Sequence, residues 1–176
     1  MKKKFSIILA TDSKKGIWKK WDLAWSIPED MKYFKDVTTK NNCVTSINAV
    51  IMWRKTWESI PKKYRPLPWR LNIILTSDTS YKIEWAIVKH SIEDCLNHVN
   101  TDIAINKIFI IWWATLYNQV LDNPSLEYIY LTKVKSNFKC DVFFKWIPKQ
   151  FQLENKWEEL KSQGNINYQF MVYKRK

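Results

Sequence analysis

Glycine is nearly missing from this chain, with 2 in 176 residues where ordinary usage of about 7% predicts roughly 12. None of the fibrous or disordered classes explains such a shortage. Cysteine is scarce too. Cys43, Cys95 and Cys140 are odd in number and widely spaced, with no C-x-x-C pair, which excludes a disulfide framework and fits buried, reduced thiols in a cytosolic compartment. No apolar stretch is long enough to span a membrane. The start, MKKKFSIILATD, has a basic head, but its apolar run stops at Ala10, so it reads as a first strand and not as a signal peptide. Acidic residues are outnumbered, 17 against 29 Lys and Arg, for a net charge of +12. That excess brings polyanions into consideration. The basic residues fall in short clusters at Lys2–Lys4, Lys14–Lys20, Lys62–Arg65 and Lys174–Lys176, with no continuous stripe and no nucleic-acid motif. They read as a solvated surface that attracts small phosphorylated molecules, with neither nucleic acid nor membrane as partner.

What stands in place of glycine is tryptophan, 11 in all. Several occupy places where a turn is expected, as in KGIWKKWD (15–22), PWR (68–70) and IWWA (111–114). A Cβ and an indole there are awkward, because neither left-handed backbone nor close backbone approach suits them.

The chain is long enough for one domain over residues 1–176 with a sizeable core. Phe5–Ala10, Ala49–Met52, Leu71–Leu75 and Ile108–Ile111 are short, almost continuous apolar runs, the pattern of strands buried on both faces. Helical patterns at Pro28–Thr39, Arg54–Ile60, Ser91–Val99 and Ala114–Leu121 lie between or after them, and Ser91 with Asp94 makes a capping-box-like start. This alternation predicts an α/β fold with a mostly parallel central sheet and helices on both faces. Tyr128–Val134 and Tyr168–Tyr173 alternate instead, which predicts an antiparallel C-terminal edge, with polar Ser162–Asn167 joining them. Pro61–Pro68 reads as a basic surface loop.

Two places could carry chemistry. In LAWSIPEDMKYFK (23–35), Ser26 is placed to cap a helix, Pro28 suits its first position, and Glu29 and Asp30 fall in the first turn, where the helix dipole favours carboxylates. Ile27, Met31 and Phe34 mark the buried stripe, so Asp30, at its edge, is better placed than Glu29 to line a cleft. On the residues alone, capping and solvation are the plainer account of this pair. The second place is double. Met52 runs into Trp53–Arg54–Lys55–Thr56 and Ile111 into Trp112–Trp113–Ala114–Thr115, each a strand end turning into a helix. With small residues at the turns, both would make anion cradles suited to a dinucleotide. With tryptophan there the cradles are plugged, and core aromatics are the simpler reading. His90 and His98 have no metal-ligand partner at recognisable spacing.

Over essentially its whole length the chain resembles dihydrofolate reductase. Leu23–Phe34 is similar to that family's active-site segment, and VIMWRKTWESIPKKYRPLPWRLNIILTSD (50–78) to its cofactor and glutamate-tail segment. IIWWATLY (110–117) is similar to its I-G-G-x-x-x-Y segment, and Tyr128–Val134 with Asp141–Phe144 to its Y-L-T and D-x-x-F strands. Ala24 departs from the usual proline. Trp18, Trp21, Trp53, Trp69, Trp85, Trp112 and Trp113 each stand where such a protein has, or readily accepts, glycine, whereas Trp25 and Trp57 fall where the family uses tryptophan. The sorting points to a lineage in which UGA encodes glycine. Returning glycine to those seven gives nine, and Trp146 and Trp157 would raise that to eleven, close to the expected roughly 12.

The resemblance implies hydride transfer from NADPH to dihydrofolate, in a cytoplasmic monomer serving one-carbon metabolism. It makes Asp30 the sole catalytic carboxylate, with its pKa raised by burial near Leu9, Phe34 and Ile60 and opposed by the helix N-terminus. Asp30 would hold the pterin edge and favour protonation through water, and Thr132 would share its network. Ile8, Leu9, Phe34, Ile60 and Leu67 would line the pterin and benzoyl pocket, and Arg70 would fork onto the glutamate carboxylate. For the cofactor, Ala10, Ile17 and the backbone of Trp18, Trp21, Asp22 and Leu23 would border the nicotinamide. Trp53, Arg54, Lys55 and Thr56, with Leu75, Thr76 and Ser77, would surround the pyrophosphate and 2′-phosphate. Ile111, Trp112, Trp113, Ala114, Thr115, Leu116 and Tyr117 would form the second turn, where the family joins two glycines by a cis peptide, a linkage that costs about 2.5–4 kcal/mol for non-proline residues. Two other readings stay open. A same-fold pyrimidine reductase of riboflavin synthesis would lack the Asp30 and Arg70 pair, and a non-catalytic basic binding module would show steep salt dependence and no NADPH oxidation.

Overall fold

The four apolar runs become neighbours in one sheet. A computed structural model of the chain describes residues 2–20, 22–41, 45–112 and 114–176, and of Asp22, Leu23 and Ala114 it describes the backbone only. Trp21, Trp113 and Cys43 lie outside the described residues. The strands β1 (Phe5–Thr11), β2 (Gly16–Lys19), β3 (Asp22–Leu23), β4 (Ile47–Trp53), β5 (Arg70–Leu75) and β6 (Ile87–Lys89) precede β7 (Ile105–Ile111) and β8 (Leu126–Val134). After them come β9 (Val142–Phe143), β10 (Phe151–Lys156), β11 (Leu160–Lys161) and β12 (Asn167–Arg175). Helices α1 (Pro28–Thr39), α2 (Arg54–Ser59), α3 (Ile92–Thr101) and α4 (Ala114–Val120) connect them.

The main sheet runs β10-β12-β8-β1-β7-β4-β5-β6, with β11 also on β12. From β8 to β6 every pairing is parallel, and β12 joins β8 antiparallel. Ile51, Ile73, Ile108 and Ile110 are buried in the layer that receives Cys95 and Val99 of α3 and Leu116, Tyr117 and Val120 of α4. The opposite layer joins Ile8, Val50, Met52, Ile74, Phe109 and Ile111 to Phe34 of α1 and Trp57 of α2. Helices therefore cover both faces. No helix among the described residues is long and apolar enough to cross a membrane. Cys95 and Cys140 are buried, unpaired thiols, pushed up to about 12 and about 11 chiefly by burial.

Several local expectations are corrected. The residue at the N-cap of α1 is Ile27, whose side chain accepts nothing, and Ser26 is exposed one position earlier. Ser91 does cap α3, accepting from Asp94 N at 3.0 Å. Met31 is 43% exposed, so the buried stripe of α1 keeps Ile27 and Phe34 only. Ser162–Asn167 does not join β8 to β12; it turns β11 into β12, and β10 lies between. The alternation rule missed β10 because five of its six residues are exposed and it contains Glu154, Asn155 and Lys156. It borders the sheet with a bulge between Leu153 and Asn155. Pro61–Pro68 contains a 3-10 turn at Lys62–Tyr64 and ends on a buried Leu67.

A second sheet, β3-β2-β9, was not foreseen. It hangs on buried Asp12, whose carboxylate accepts from Lys14 N at 2.8 Å, Gly16 N at 2.7 Å and Phe138 N at 3.1 Å. Gly16 faces Cys140 so closely that a Cβ would sit 2.3 Å from the Cys140 Cβ and 2.7 Å from its Sγ. Gly16→Ala should therefore cost roughly 1–3 kcal/mol through overpacking, read as a lower urea midpoint at unchanged slope.

Candidate active site

Residue 30 lies in the first turn of α1, in a hollow shared with β1 and with the turn that follows β7. The Asp30 backbone N–H donates to Ile27 O at 3.0 Å in the first helical turn, and the side chain faces a small hollow. Ile8, Leu9 and Ala10 of β1, Ile17 and Trp18 of β2, and Met31 and Phe34 of α1 line that hollow with Trp112 and Tyr117. Burial pushes the Asp30 carboxyl up to about 6, opposed by a hydrogen bond from the Thr132 side chain. The opposing group is thus a hydroxyl on β8, beside Ala10 in register.

The hollow holds only about 20 Å³, the space of about one water. The Trp112 indole stacks on Phe34 with ring centroids 4.4 Å apart, and Trp18 is buried against the same space. Of the expected pterin-side residues, Ile8, Leu9 and Phe34 line the hollow, whereas Ile60 and Leu67 pack one layer out in the Phe34 cluster.

Arg70, at the start of β5, is 7% exposed. Its Nη1 donates to Thr38 Oγ1 at 2.8 Å, its Nε donates to Pro68 O at 3.0 Å, and its guanidinium lies 5.6 Å from the centre of the Phe34 ring. Burial lowers its pKa to about 10. Among the described residues no carboxylate pairs with it, so a surface ion pair is not its role. Thr38 was not singled out from sequence; its position four residues after Phe34 puts it on the buried face of α1, but nothing in that spacing points to Arg70. Asn72, also unforeseen, grips both backbone groups of Leu67, accepting from Leu67 N and donating to Leu67 O, each at 2.9 Å.

The two strand-to-helix turns come together. Thr56 Oγ1 donates to Trp112 O at 2.9 Å, fastening the start of α2 to the turn before α4. The Tyr117 hydroxyl donates to Ile8 O at 2.6 Å and accepts from Trp112 N, so one ring on α4 ties β1 to that turn. Leu75, Ile111 and Leu116 are buried beneath these turns, Trp53 is half-buried, and Lys55, Ser77 and Thr115 are exposed. Thr76 is buried, and its Oγ1 accepts from Asp78 N at 3.1 Å. Arg54 is already engaged, with Nη1 2.7 Å from Asp78 and Nε 3.4 Å from Glu58, so an incoming phosphate would have to displace carboxylates. These are half-exposed pairs, individually weak and easily exchanged. His90 Nδ1 lies 3.0 Å from Thr76 O, at the rim of this region. Trp113 and the side chains of Asp22, Leu23 and Ala114, all expected to border the cofactor, lie outside what is described, as does Trp21. No group of three or more His, Cys, Asp or Glu among the described residues is arranged to hold a metal ion.

Comparison with known proteins gives the same answer along the whole chain. The family model for dihydrofolate reductase matches residues 4–175. The chain is 36% identical to the dihydrofolate reductase of Aedes albopictus, covering 98% of each protein, and 36% identical to that of Heliothis virescens, covering 98% of this chain and 97% of that one. It is also 34% identical to a bifunctional dihydrofolate reductase-thymidylate synthase of Glycine max, covering 99% of this chain but only 34% of that longer protein. With the family model spanning residues 4–175 and two relatives 36% identical over almost their whole length, the chain belongs to the dihydrofolate reductase family.

Proposed function

We propose that this chain reduces 7,8-dihydrofolate to 5,6,7,8-tetrahydrofolate, and that its working form carries glycine at residues 18, 21, 53, 69, 85, 112 and 113. The observation that carries the first half is Asp30, a carboxyl raised to about 6 beside Thr132 in an otherwise apolar hollow. Near neutral pH such a group exchanges a proton readily. Asp30 grips the amino and amide edge of the pterin and keeps a proton available near the ring nitrogen to be reduced, while Ile8, Leu9 and Phe34 exclude bulk water. NADPH, the family's usual cofactor, supplies the hydride. Thr56, Thr76, Ser77, Arg54 and Lys55 provide the hydroxyls and charges for its phosphates, and favour it over NADH. Ile60 and Leu67 back the benzoyl side, and Arg70 takes the glutamate carboxylate.

The second half answers a misfit. A space of about 20 Å³ holds neither a nicotinamide nor a pterin. Trp112 occupies it with φ of 53°, and Trp69 has φ of 63°, both in the left-handed region that favours glycine. Trp69 and Trp85 project into solvent, 79% and 69% exposed, with little packing in return. Trp25 and Trp57, by contrast, are 7% and 2% exposed and fill the core as tryptophans should. With UGA read as glycine in the source lineage, the strained and exposed positions have a single cause, while Trp18, at 8% exposed, is as buried as Trp25. The seven codons should be UGA and those of Trp25 and Trp57 UGG; UGG at both 112 and 113 would end the proposal.

The activity is tested on the chain with glycine at the seven positions, by following NADPH oxidation with and without dihydrofolate. Substrate-dependent oxidation is the expected result, and its absence in a folded protein would overturn the assignment. On that same protein, Arg70→Ala should raise KM for dihydrofolate about 10- to 100-fold with kcat little changed, from loss of charge-assisted hydrogen bonds. Arg70→Lys should not restore it, because an ammonium cannot fork.

A further inference from the structure

The sheet face opposite α1 carries a second hollow that the reaction above does not use. It has a volume of about 350 Å³ and lies over the carboxyl ends of β1 and β8, walled by the segment 144–149 and by the turn that leads into β2. Its floor is apolar and aromatic, with Phe144 and Tyr173 beside Leu131 and Met171. Lys15, Lys133, Lys145 and Lys149 border it. Among the described residues none of these four lysines has a carboxylate within ion-pair distance. The one acid in the lining, Asp12, is 1% exposed and already accepts three backbone N–H groups. Four ammonium groups gathered around one concavity repel each other, and Asp12 is the one carboxylate among the described residues that shares its lining. The chemistry that resolves both features is an anion attached to a flat apolar ring.

We propose that this hollow is a second ligand site, for a mononucleotide whose base lies on Tyr173 and Met171 and whose phosphates meet the four lysines. The volume is at the low end of small-molecule sites, about 300–1,000 Å³, and suits a mononucleotide better than a dinucleotide. The Trp146 ring, with Lys15 Nζ 4.2 Å from its centre, forms part of the rim.

Guanosine 5′-diphosphate, inorganic pyrophosphate and guanosine are the probes, followed by titration calorimetry on the intact chain. One molecule of the diphosphate should bind, at least about ten-fold more tightly than either fragment. The double variant Lys133→Glu/Lys149→Glu should weaken it at least about ten-fold, and Tyr173→Ala should weaken the nucleotide while leaving pyrophosphate unchanged. Arg54→Glu, at the first site, should have no effect, nor should Lys2→Glu/Lys176→Glu, which changes net charge equally but elsewhere. Absence of binding, equal affinity for pyrophosphate, or a loss caused by Arg54→Glu or by the remote pair would each overturn the proposal. Because no probe is dihydrofolate, this outcome is separable from that of the reductase assay.

Discussion

Trp112→Gly should open the hollow at Asp30 and strengthen NADPH binding by at least about 100-fold, or about 2.7 kcal/mol. The indole is wedged against Phe34 at a ring separation of 4.4 Å, and the remaining 20 Å³ cannot take a nicotinamide ring without expelling it. Expulsion would expose a large apolar ring and disturb the turn that Thr56 and Tyr117 hold. Glycine removes the obstruction and also relieves the left-handed strain at φ 53°, worth about 1–2 kcal/mol for a residue with a Cβ. Ligand affinity and thermal stability of the empty protein should thus change together. A fluorescence titration with NADPH, beside a thermal melt, checks both. Unchanged affinity with a raised melting temperature would mean that the ring fills space the cofactor never uses.

Asp30→Asn should reduce turnover at pH 7 at least about 100-fold, the usual weight of a positioned acid-base group, while making the fold more stable. The sign follows from burial. The folded-state value, about 6, lies above the ordinary 3.8, so between about pH 4 and pH 6 the folded chain keeps a proton that the unfolded chain has released. The contribution of this group to stability is complete below pH 4 and is lost as pH rises through 6. An amide carries no charge to desolvate, so at pH 7 the variant should gain roughly 1–3 kcal/mol. In the glycine-bearing chain, turnover should fall as pH rises through about 6, and in Asp30→Asn that inflection should vanish. A variant that lost activity and stability together would point instead to a structural role for the carboxylate.

Much of the parallel sheet was legible because both of its faces are buried: continuous runs such as Ile108–Ile111 have no other explanation, and α1 was bounded at Pro28 and Thr39 as the pattern required. The antiparallel border was harder. A strand such as β10, with only Phe151 buried, leaves no period-two signal. At the site, Asp30 could be placed from helical phase, but its neighbour Thr132 is about a hundred residues away in sequence and reaches it only because β1 and β8 pair. The same holds for the grip of Thr38 on Arg70, which no local spacing encodes. Met31 shows the limit of periodicity from the other side, since it has the right phase yet sits at the mouth of the hollow and stays exposed. The tryptophans misled local reasoning for a different cause: propensity assigns a residue to the core or to a turn, and these sit in turns with side chains that belong in a core.

The outer strand β10 has one more consequence. Its bulge at Leu153–Asn155 breaks the regular rhythm of free N–H and C=O groups, and Glu154 and Lys156 add charge along the rim. The opposite border, β6, is only three residues long and ends in Lys89. A foreign chain trying to extend this sheet would find a distorted, charged template on one side and almost none on the other, which guards the nine-stranded sheet against polymerising through its margins.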